Sequence, residues 1–427
     1  MRVLLLSAAN DAGSIIPLPL GLACVAQAAE ASGHEPQLLS MSASADWEKD
    51  VRRSIEQFSP DVIGLSVRNI DDQNMQSPRF LLEGLKSVVA ACRDCSSAPV
   101  VLGGAGYSIF PESVLEYLGA DIGIRGEGER AFPALLSWLQ HGRQGSPPPG
   151  TNLPNASHAP VVFSHDLSGF SLPQPRVWLD FPGSQEQRIP VQTRRGCPLD
   201  CSFCSTSSIE GRPIRLRSAD SVVRWLATLR EKGFRHFHFV DNTFNLPPHY
   251  AKELCRKLIE AELGLDWWAI IYPKWLDAEL AELMARAGCS LVSLGFESGS
   301  DAILPQLNKH FTCAEVREVS KALVAVGIQR QGFLLLGGPE ETRETVEESL
   351  GFAESLRLEA LKATAGIRIY PGTQLASVAI ADGLIRPEDN LLFPSFYMVK
   401  ALRDWLPQRI AGYGSGNVFP NAGTSNS

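Results

Sequence analysis

Residues 194–209, RRGCPLDCSFCSTSSI, hold three of the nine cysteines of the chain, Cys197, Cys201 and Cys204, in the spacing Cys-x3-Cys-x2-Cys. Gly196 and Pro198 let this stretch curl and turn its sulfurs inward. Three thiolates suit the possible sites unequally. A structural zinc closes with four ligands, usually as two separated pairs, and no matching second pair is present. A disulfide takes two sulfurs and strands the third. An iron–sulfur cubane is held by thiolates, and when only three are supplied one iron keeps a position for an exchangeable ligand. The loop therefore reads as an open [4Fe-4S] site, set against a zinc knuckle borrowing a distant histidine or a chance clustering.

The elements that must position this loop are legible in the hydrophobic pattern. In the second half, RIPVQT, HFHFVD, DWWAII, SLVSLGFE, RQGFLLLG and LKATAGIRIY read as strands. Between them lie amphipathic helices such as SADSVVRWLATLREKG, PHYAKELCRKLIEAE and TCAEVREVSKALVAVG. Six such steps are too few to close an eight-unit barrel, so a partial (β/α)6 barrel is expected, with its chemistry at the carboxyl ends of the strands. The cysteine loop directly follows the first of these strands. In the first half, RVLLLSA, EPQLLSM, DVIGLSV, PVVLGG and ADIGIRG alternate with helices, which predicts a Rossmann-like, doubly wound parallel sheet. Its ligand side carries residues 7–10, 66–69, 103–108 and 126–129. The expected division is 1–141 for this α/β domain, 142–182 for a Pro/Ser/Gly/Asn-rich linker, 183–378 for the barrel, and 379–427 for a short C-terminal segment ending in a disordered tail, NAGTSNS.

Composition narrows the function. With 44% apolar residues the chain of 427 can bury a large core, and a formal charge of −8 supplies no basic excess to attract a nucleic-acid backbone. No run reaches the roughly 18–20 apolar residues of a spanning helix, and the N-terminus lacks the pattern of a secretory signal. Scattered, odd-numbered cysteines speak against a disulfide framework and for a reducing cytoplasm. The pair Cys92 and Cys95 has no second pair and reads as buried or solvated free thiols, and Cys24, Cys255, Cys289 and Cys313 read as small apolar residues. His236 and His238 share a strand face and read as packing. Trp267 and Trp268 should split between core and barrel interior, and Tyr272 stands where a substrate could touch it.

The cysteine loop, with Phe203 before its last cysteine, resembles the signature of the radical S-adenosylmethionine superfamily. The resemblance implies that the open iron chelates the amino and carboxylate groups of S-adenosylmethionine. An electron from an external reductant, such as flavodoxin or ferredoxin, then splits the sulfonium and releases a 5′-deoxyadenosyl radical that takes hydrogen from a small-molecule substrate. Other motifs resemble the family in order. VDNTF offers Asp241 and Asn242 to the methionine amino group, LGFESGSD offers Glu297 and Ser298 to the ribose, GFLLLGGPEET places Gly337 beside the adenine, and RIYPGT places Tyr370 near the base. This resemblance covers about residues 185–375.

Residues 1–140 resemble the cobalamin-binding domain that precedes such a barrel in one branch of the superfamily, through PLGLACVAQAAEASGHE, VLGGAGYSIFPESVL and GIRGEGE. Glycines without a Cβ allow backbone to approach a wide flat ring. The implied cobalamin contacts are Ser66, Arg68, Asn69, Gly103, Gly104 and Gly106 around the ring, with Gly126 and Glu127 at the nucleotide tail. The loops 11–14 and 68–72 should lie nearest the ring. The motif Asp-x-His-x-x-Gly is missing, so no histidine is expected below the cobalt, and His34 reads as a turn residue. The resemblance implies methyl transfer to an unactivated carbon or to phosphorus of a small metabolite or natural-product intermediate, one S-adenosylmethionine methylating the cobalt and a second yielding the radical. Two alternatives stand beside it: radical cyclisation, rearrangement or transfer of another fragment without methyl transfer, and a non-catalytic iron–sulfur or cobalamin regulator. Residues 391–406 are the candidate lid over the substrate. The sequence carries no reading of oligomeric state.

Overall fold

The computed structural model describes residues 1–7, 18–41, 46–154, 156, 160–179 and 187–413. The 11–14 loop and the NAGTSNS tail lie outside the described residues.

In the first half, strands β1 (Arg2–Ser7), β2 (Glu35–Ser40), β3 (Val62–Ser66), β4 (Val100–Gly103) and β5 (Ile122–Ile124) pair in parallel in the order β2-β1-β3-β4-β5. The sheet is covered on both faces, so its strands are apolar throughout rather than alternating. On β1, Val3 and Leu5 pack under helices Leu20–Ala31 and Gly128–Gln140, while Leu4 and Leu6 pack under Trp47–Phe58 and Leu82–Cys95. The expected linker is not featureless. Strand β6 (Thr151–Asn152) adds antiparallel to β5, and the short helix Pro175–Leu179 buries Trp178 completely. Two polar residues make too short a strand to show a period, which is why the pattern missed them.

In the second half, β7 (Ile189–Val191) leads into a ribbon of β8 (Arg194–Arg195) and β9 (Arg215–Leu216) that frames the cysteine loop. Then β10 (His236–Phe239), β11 (Asp266–Ile271), β12 (Cys289–Glu297), β13 (Gln329–Leu336) and β14 (Ala360–Ala365) complete a six-stranded parallel sheet, ordered β14-β13-β12-β11-β10-β7. Among the described residues its outer strands β7 and β14 do not pair, so the barrel is partial. Side chains alternate with period two. Phe237, Phe239, Trp267, Val292, Phe296 and Leu334 point outward into the helical layer. His238, Trp268, Ile270, Ser293 and Gln331 take the inward parity. The helices start where polar side chains cap their free N–H groups: Ser218, Asp277, Thr312 and Thr342 each accept from the backbone three residues on.

The predicted sixth strand is broken. Gly366 adopts φ 78°, ending β14, and β15 (Ile367–Arg368) turns away to pair antiparallel with β16 (Phe396–Tyr397). Residues 391–406, the candidate lid, are thereby built into the body of the protein: Leu392, Tyr397, Met398, Leu402 and Leu406 are all buried in its cores. The segment that crosses to the barrel comes instead from the first half. The loop after β3 reaches over so that Gln73 Nε2 donates to Tyr370 Oη at 3.0 Å, Gln76 Nε2 donates to Pro407 O at 3.2 Å, and Met75 packs on Gly366.

Candidate active site

The cysteine loop is held from both sides by hydrogen bonds; within it Cys204 Sγ lies 3.2 Å from Thr206 Oγ1, and the backbone of Leu199 bonds the Cys197 sulfur. At its entrance, the fully buried Asp241 carboxylate accepts from Thr193 N at 2.8 Å, Thr193 Oγ1 at 2.6 Å and Arg194 N at 3.2 Å. Gly196 follows at φ 89°, where a Cβ would strike Pro213 O, so only glycine fits. Glu210 joins three elements here. It accepts from Gly196 N at 3.1 Å, Gln192 Nε2 at 3.0 Å and Asn242 Nδ2 at 2.8 Å. On the far side Ser202 N donates to Leu307 O at 3.1 Å, Asn308 Nδ2 donates to Asp200 O at 3.0 Å, and Leu375 N donates to Ser202 O at 2.8 Å.

All nine cysteines are free thiols, so no cystine joins the loop. Burial pushes the Cys197 and Cys201 thiols up, and each is pushed further by its neighbouring thiols; the Lys309 ammonium draws Cys201 back down. The three sulfurs are therefore within electrostatic reach of one another. Yet among the described residues no set of three or more His, Cys, Asp or Glu side chains gathers tightly enough to hold a single ion. Three thiolates without a fourth protein ligand suit a cluster that keeps one iron open.

Of the other residues expected to hold S-adenosylmethionine, some face the site and some do not. Asn242 lines the central cavity. Glu297 stands at the end of β12, 3.4 Å from Lys309 Nζ. Tyr370 lies against Phe110 and the Arg368 guanidinium, and burial raises its phenol to about 12. Asp241 takes three donors on its buried carboxylate and so braces Thr193 and Arg194 at the loop entrance. Ser298 is fully buried, and its hydroxyl is shared with Ser349 Oγ at 3.0 Å, under helix Arg343–Ser355. Gly337 is a packing position. It sits at φ 96°, its N–H donates to Glu341, and a Cβ there would meet Met398.

Between the halves lies a cavity of about 490 Å3. One wall is the ligand side of the first sheet, with Ser66, Arg68, Gly103, Gly104, Gly126 and Glu127; the other is the barrel mouth, with Gln192, Val240 and Asn242, and the helix Thr206–Glu210 that leaves the cysteine loop. The cavity fits a broad flat group. Gly103 exposes bare backbone, where a Cβ would find nothing nearer than Ile124 O at 3.9 Å. Among the described residues no histidine lines it. Gly104 and Gly106 have a different reason for being glycine: their Cβ atoms would fall 2.6 Å from Val67 O and 3.0 Å from Arg68 O, so they let the turn after β4 lie on the end of β3. Gly106 and Asn69 are not among the residues lining this cavity. Glu127 borders the cavity with a committed carboxylate, taking Arg215 Nη1 and, at 2.8 Å, Ser164 N.

Sequence reasoning missed the charges that join the halves. Arg195, next to the cluster loop, pairs with Glu129, and Arg215 pairs with Glu127, all four side chains less than one-tenth exposed. It also missed Lys309. Their only local signal is an ionisable residue in an apolar stretch, and partners 66 and 88 positions away carry none. Below the mouth, Arg188 lies 3.7 Å over the Trp268 ring and bonds Asp266 at 2.6 Å, and His236 meets the same carboxylate at 2.9 Å. His238 stays neutral, with a pKa lowered to about 4 by burial and by Arg188 and Arg68. Tyr272 Oη accepts from His310 N at 2.9 Å.

The comparisons with known proteins follow this geometry. The Radical SAM superfamily model matches residues 191–353, and the B12 binding domain model matches residues 8–136. An uncharacterized methyltransferase of Pyrococcus horikoshii is 28% identical over 92% of this chain and 85% of its own length. A tryptophan 2-C-methyltransferase of Streptomyces laurentii is 24% identical over 84% and 71%. Among solved structures, the radical S-adenosylmethionine methyltransferase TsrM of Kitasatospora setae superposes with a TM-score of 0.83 at 22% identity, covering 96% of this chain and 88% of its own. The cobalamin-dependent radical enzyme OxsB does so at 0.78 and 15%, covering 96% and 66%. Between them the two family matches span more than half of the 427 residues. The chain belongs to the radical S-adenosylmethionine superfamily, in the branch that carries a B12-binding domain ahead of the barrel.

Proposed function

We propose that this protein is a cobalamin-dependent methyltransferase that uses S-adenosylmethionine and a [4Fe-4S] cluster to methylate an unactivated carbon or phosphorus of a small metabolite or natural-product intermediate. The observation that carries the reading is the shared cavity, bounded on one side by bare strand ends of the first sheet and on the other by the barrel mouth and the helix leaving Cys204. The names of the relatives support the same chemistry, since those of Pyrococcus horikoshii and Streptomyces laurentii are methyltransferases.

In this reading Cys197, Cys201 and Cys204 hold the cluster, Asn242, Glu297 and Tyr370 face S-adenosylmethionine, and Ser66, Arg68, Gly103, Gly104 and Gly126 line the cobalamin chamber. When bound, the cluster supplies the electron that splits the sulfonium, and cobalamin supplies the methyl-carrying cobalt. The protein holds these partners at one mouth. Glu210 ties the cluster loop to the chamber wall through Gly196 and Asn242, and the Arg195–Glu129 and Arg215–Glu127 pairs fix the walls to each other. The inward face of the barrel offers the substrate an uncharged imidazole at His238, the hydroxyl of Ser293 and the buried Gln331 Oε1, which has no hydrogen-bond partner among the described residues. The division at 1–141, 142–182, 183–378 and 379–427, a cytoplasmic setting and an external flavodoxin or ferredoxin as reductant belong to the same reading. No helix among the described residues is long and apolar enough to cross a membrane.

The test is anaerobic purification with iron and cobalt analysis, followed by product analysis under reductant. S-adenosylhomocysteine together with 5′-deoxyadenosine supports methyl transfer. 5′-Deoxyadenosine alone moves the protein to radical rearrangement, and neither product marks a regulator. A protein free of cobalt that takes up no added cobalamin overturns the methyltransferase reading.

A further inference from the structure

Lys309 lies in the segment that props the cysteine loop from below. This segment follows the 3-10 turn Leu304–Leu307 and is fastened to the loop at successive positions. Leu307 O accepts from Ser202 N at 3.1 Å, Asn308 Nδ2 reaches Asp200 O at 3.0 Å, and His310 Nε2 meets Asp200 Oδ1 at 2.6 Å. Lys309, between Asn308 and His310, turns inward instead, and its side chain is 5% exposed. Its ammonium is 3.2 Å from Gly295 O, 3.4 Å from Glu297 Oε1, and 5.4 Å from the centre of the Phe203 ring, which stands between Cys201 and Cys204. Glu297 adopts φ 63°, a left-handed conformation that is uncommon for a side-chain-bearing residue.

A buried ammonium has three hydrogens to satisfy and a large desolvation cost to offset. Here the described residues supply two acceptors, one of them at long range. The ammonium also stands over the ring of Phe203, the residue between Cys201 and Cys204, so its remaining positive charge lies beside the cysteine loop.

We propose that Lys309 is the fixed counter-cation of the iron–sulfur cluster, and that Glu297 tempers it, the pair setting how readily the cluster accepts an electron. This rests on reading Cys197, Cys201 and Cys204 as a cluster site. Reduction adds negative charge to the cluster, and in a low-dielectric surrounding a nearby cation stabilises the reduced form while a nearby carboxylate disfavours it. The two side chains therefore act with opposite sign. A role confined to packing gives no such opposition.

The experiment is a redox titration of the anaerobically reconstituted full-length protein, followed by electron paramagnetic resonance, without substrate. Lys309→Met shifts the midpoint to more negative potential, Glu297→Gln shifts it to more positive potential, and Lys309→Arg stays close to the native value, with iron and sulfide content per chain unchanged. An unmoved midpoint in Lys309→Met, or shifts of the same sign in Lys309→Met and Glu297→Gln, overturns the proposal. If Lys309→Met takes up no cluster, Glu297→Gln decides alone: a positive shift supports the proposal and any other result overturns it. Failure of the native protein to hold iron is a different outcome, and it removes the cluster reading itself.

Discussion

The carboxylate of Asp71 accepts a hydrogen bond from Arg368 Nε at 2.7 Å, with the two side chains only 1% and 3% exposed, across 297 positions of sequence. Arg368 also donates to Ile369 O at 2.6 Å and Leu391 O at 2.8 Å, so its guanidinium is satisfied on several sides. Breaking a buried pair by removing one partner typically costs about 3–5 kcal/mol, because the other charge stays buried alone. Asp71→Ala is therefore expected to lower the denaturant midpoint by an amount of that order. Asp71→Ala combined with Arg368→Met should recover part of the loss. A single substitution that leaves the midpoint in place contradicts the role given to the pair.

The cluster loop makes the sharpest chemical prediction. Cys201→Ala leaves two thiols for a site that needs three, and is expected to abolish 5′-deoxyadenosine formation under strong reductant while the folded circular-dichroism signal remains. Detectable 5′-deoxyadenosine above the no-enzyme control counts against the site.

Asp241 should make stability depend on pH. Burial raises its pKa from 3.8 to about 6, with Arg194 and the Thr193 hydrogen bonds opposing. The folded state thus binds the proton more tightly than the unfolded state, and its contribution to stability, full below the unfolded pKa, is lost as pH rises through about 6. Asp241→Asn keeps acceptors for Thr193 N and Arg194 N without the charge. Thermal midpoints measured from pH 4 to pH 7 are expected to fall less steeply in Asp241→Asn than in the native protein. Parallel curves would leave the titration of this group without effect.

Adjacent glycines should behave differently. Gly104 has φ 102° and a Cβ there would lie 2.6 Å from Val67 O, whereas a Cβ at Gly103 meets nothing inside 3.9 Å. Gly104→Ala is expected to lose at least about 1–2 kcal/mol from the backbone conformation alone. Gly103→Ala should keep its thermal midpoint and weaken cobalamin uptake, read from the visible spectrum after reconstitution. Equal midpoints for the two variants would contradict the packing described for Gly104.

What the sequence made legible was local and periodic. Val3 to Leu6 is an unbroken apolar run because both faces of β1 are covered, and β10 alternates, His236 and His238 against Phe237 and Phe239, because one face meets helices. The cysteine spacing is likewise a local signal. The break at Gly366 was harder to see, since one glycine in a strand-like run is compatible with continuation, and only the packing of Met75 on it settles the turn. The contacts of Asp241 and Ser298 were not legible because their partners, Thr193 and Ser349, are distant in sequence. Lys309, Arg195 and Glu210 were passed over for the same reason: a charge becomes informative only when its partner is known.

The contact between the loop after β3 and the residues beyond β14 has a consequence for how the molecule comes into being. During translation Asp71 leaves the ribosome long before Arg368, and until then the nascent first half carries a carboxylate and an apolar Met75 with nowhere to go. Splitting the gene between the halves would fix that unfinished state permanently, so the last stage of assembly requires both halves to be present together.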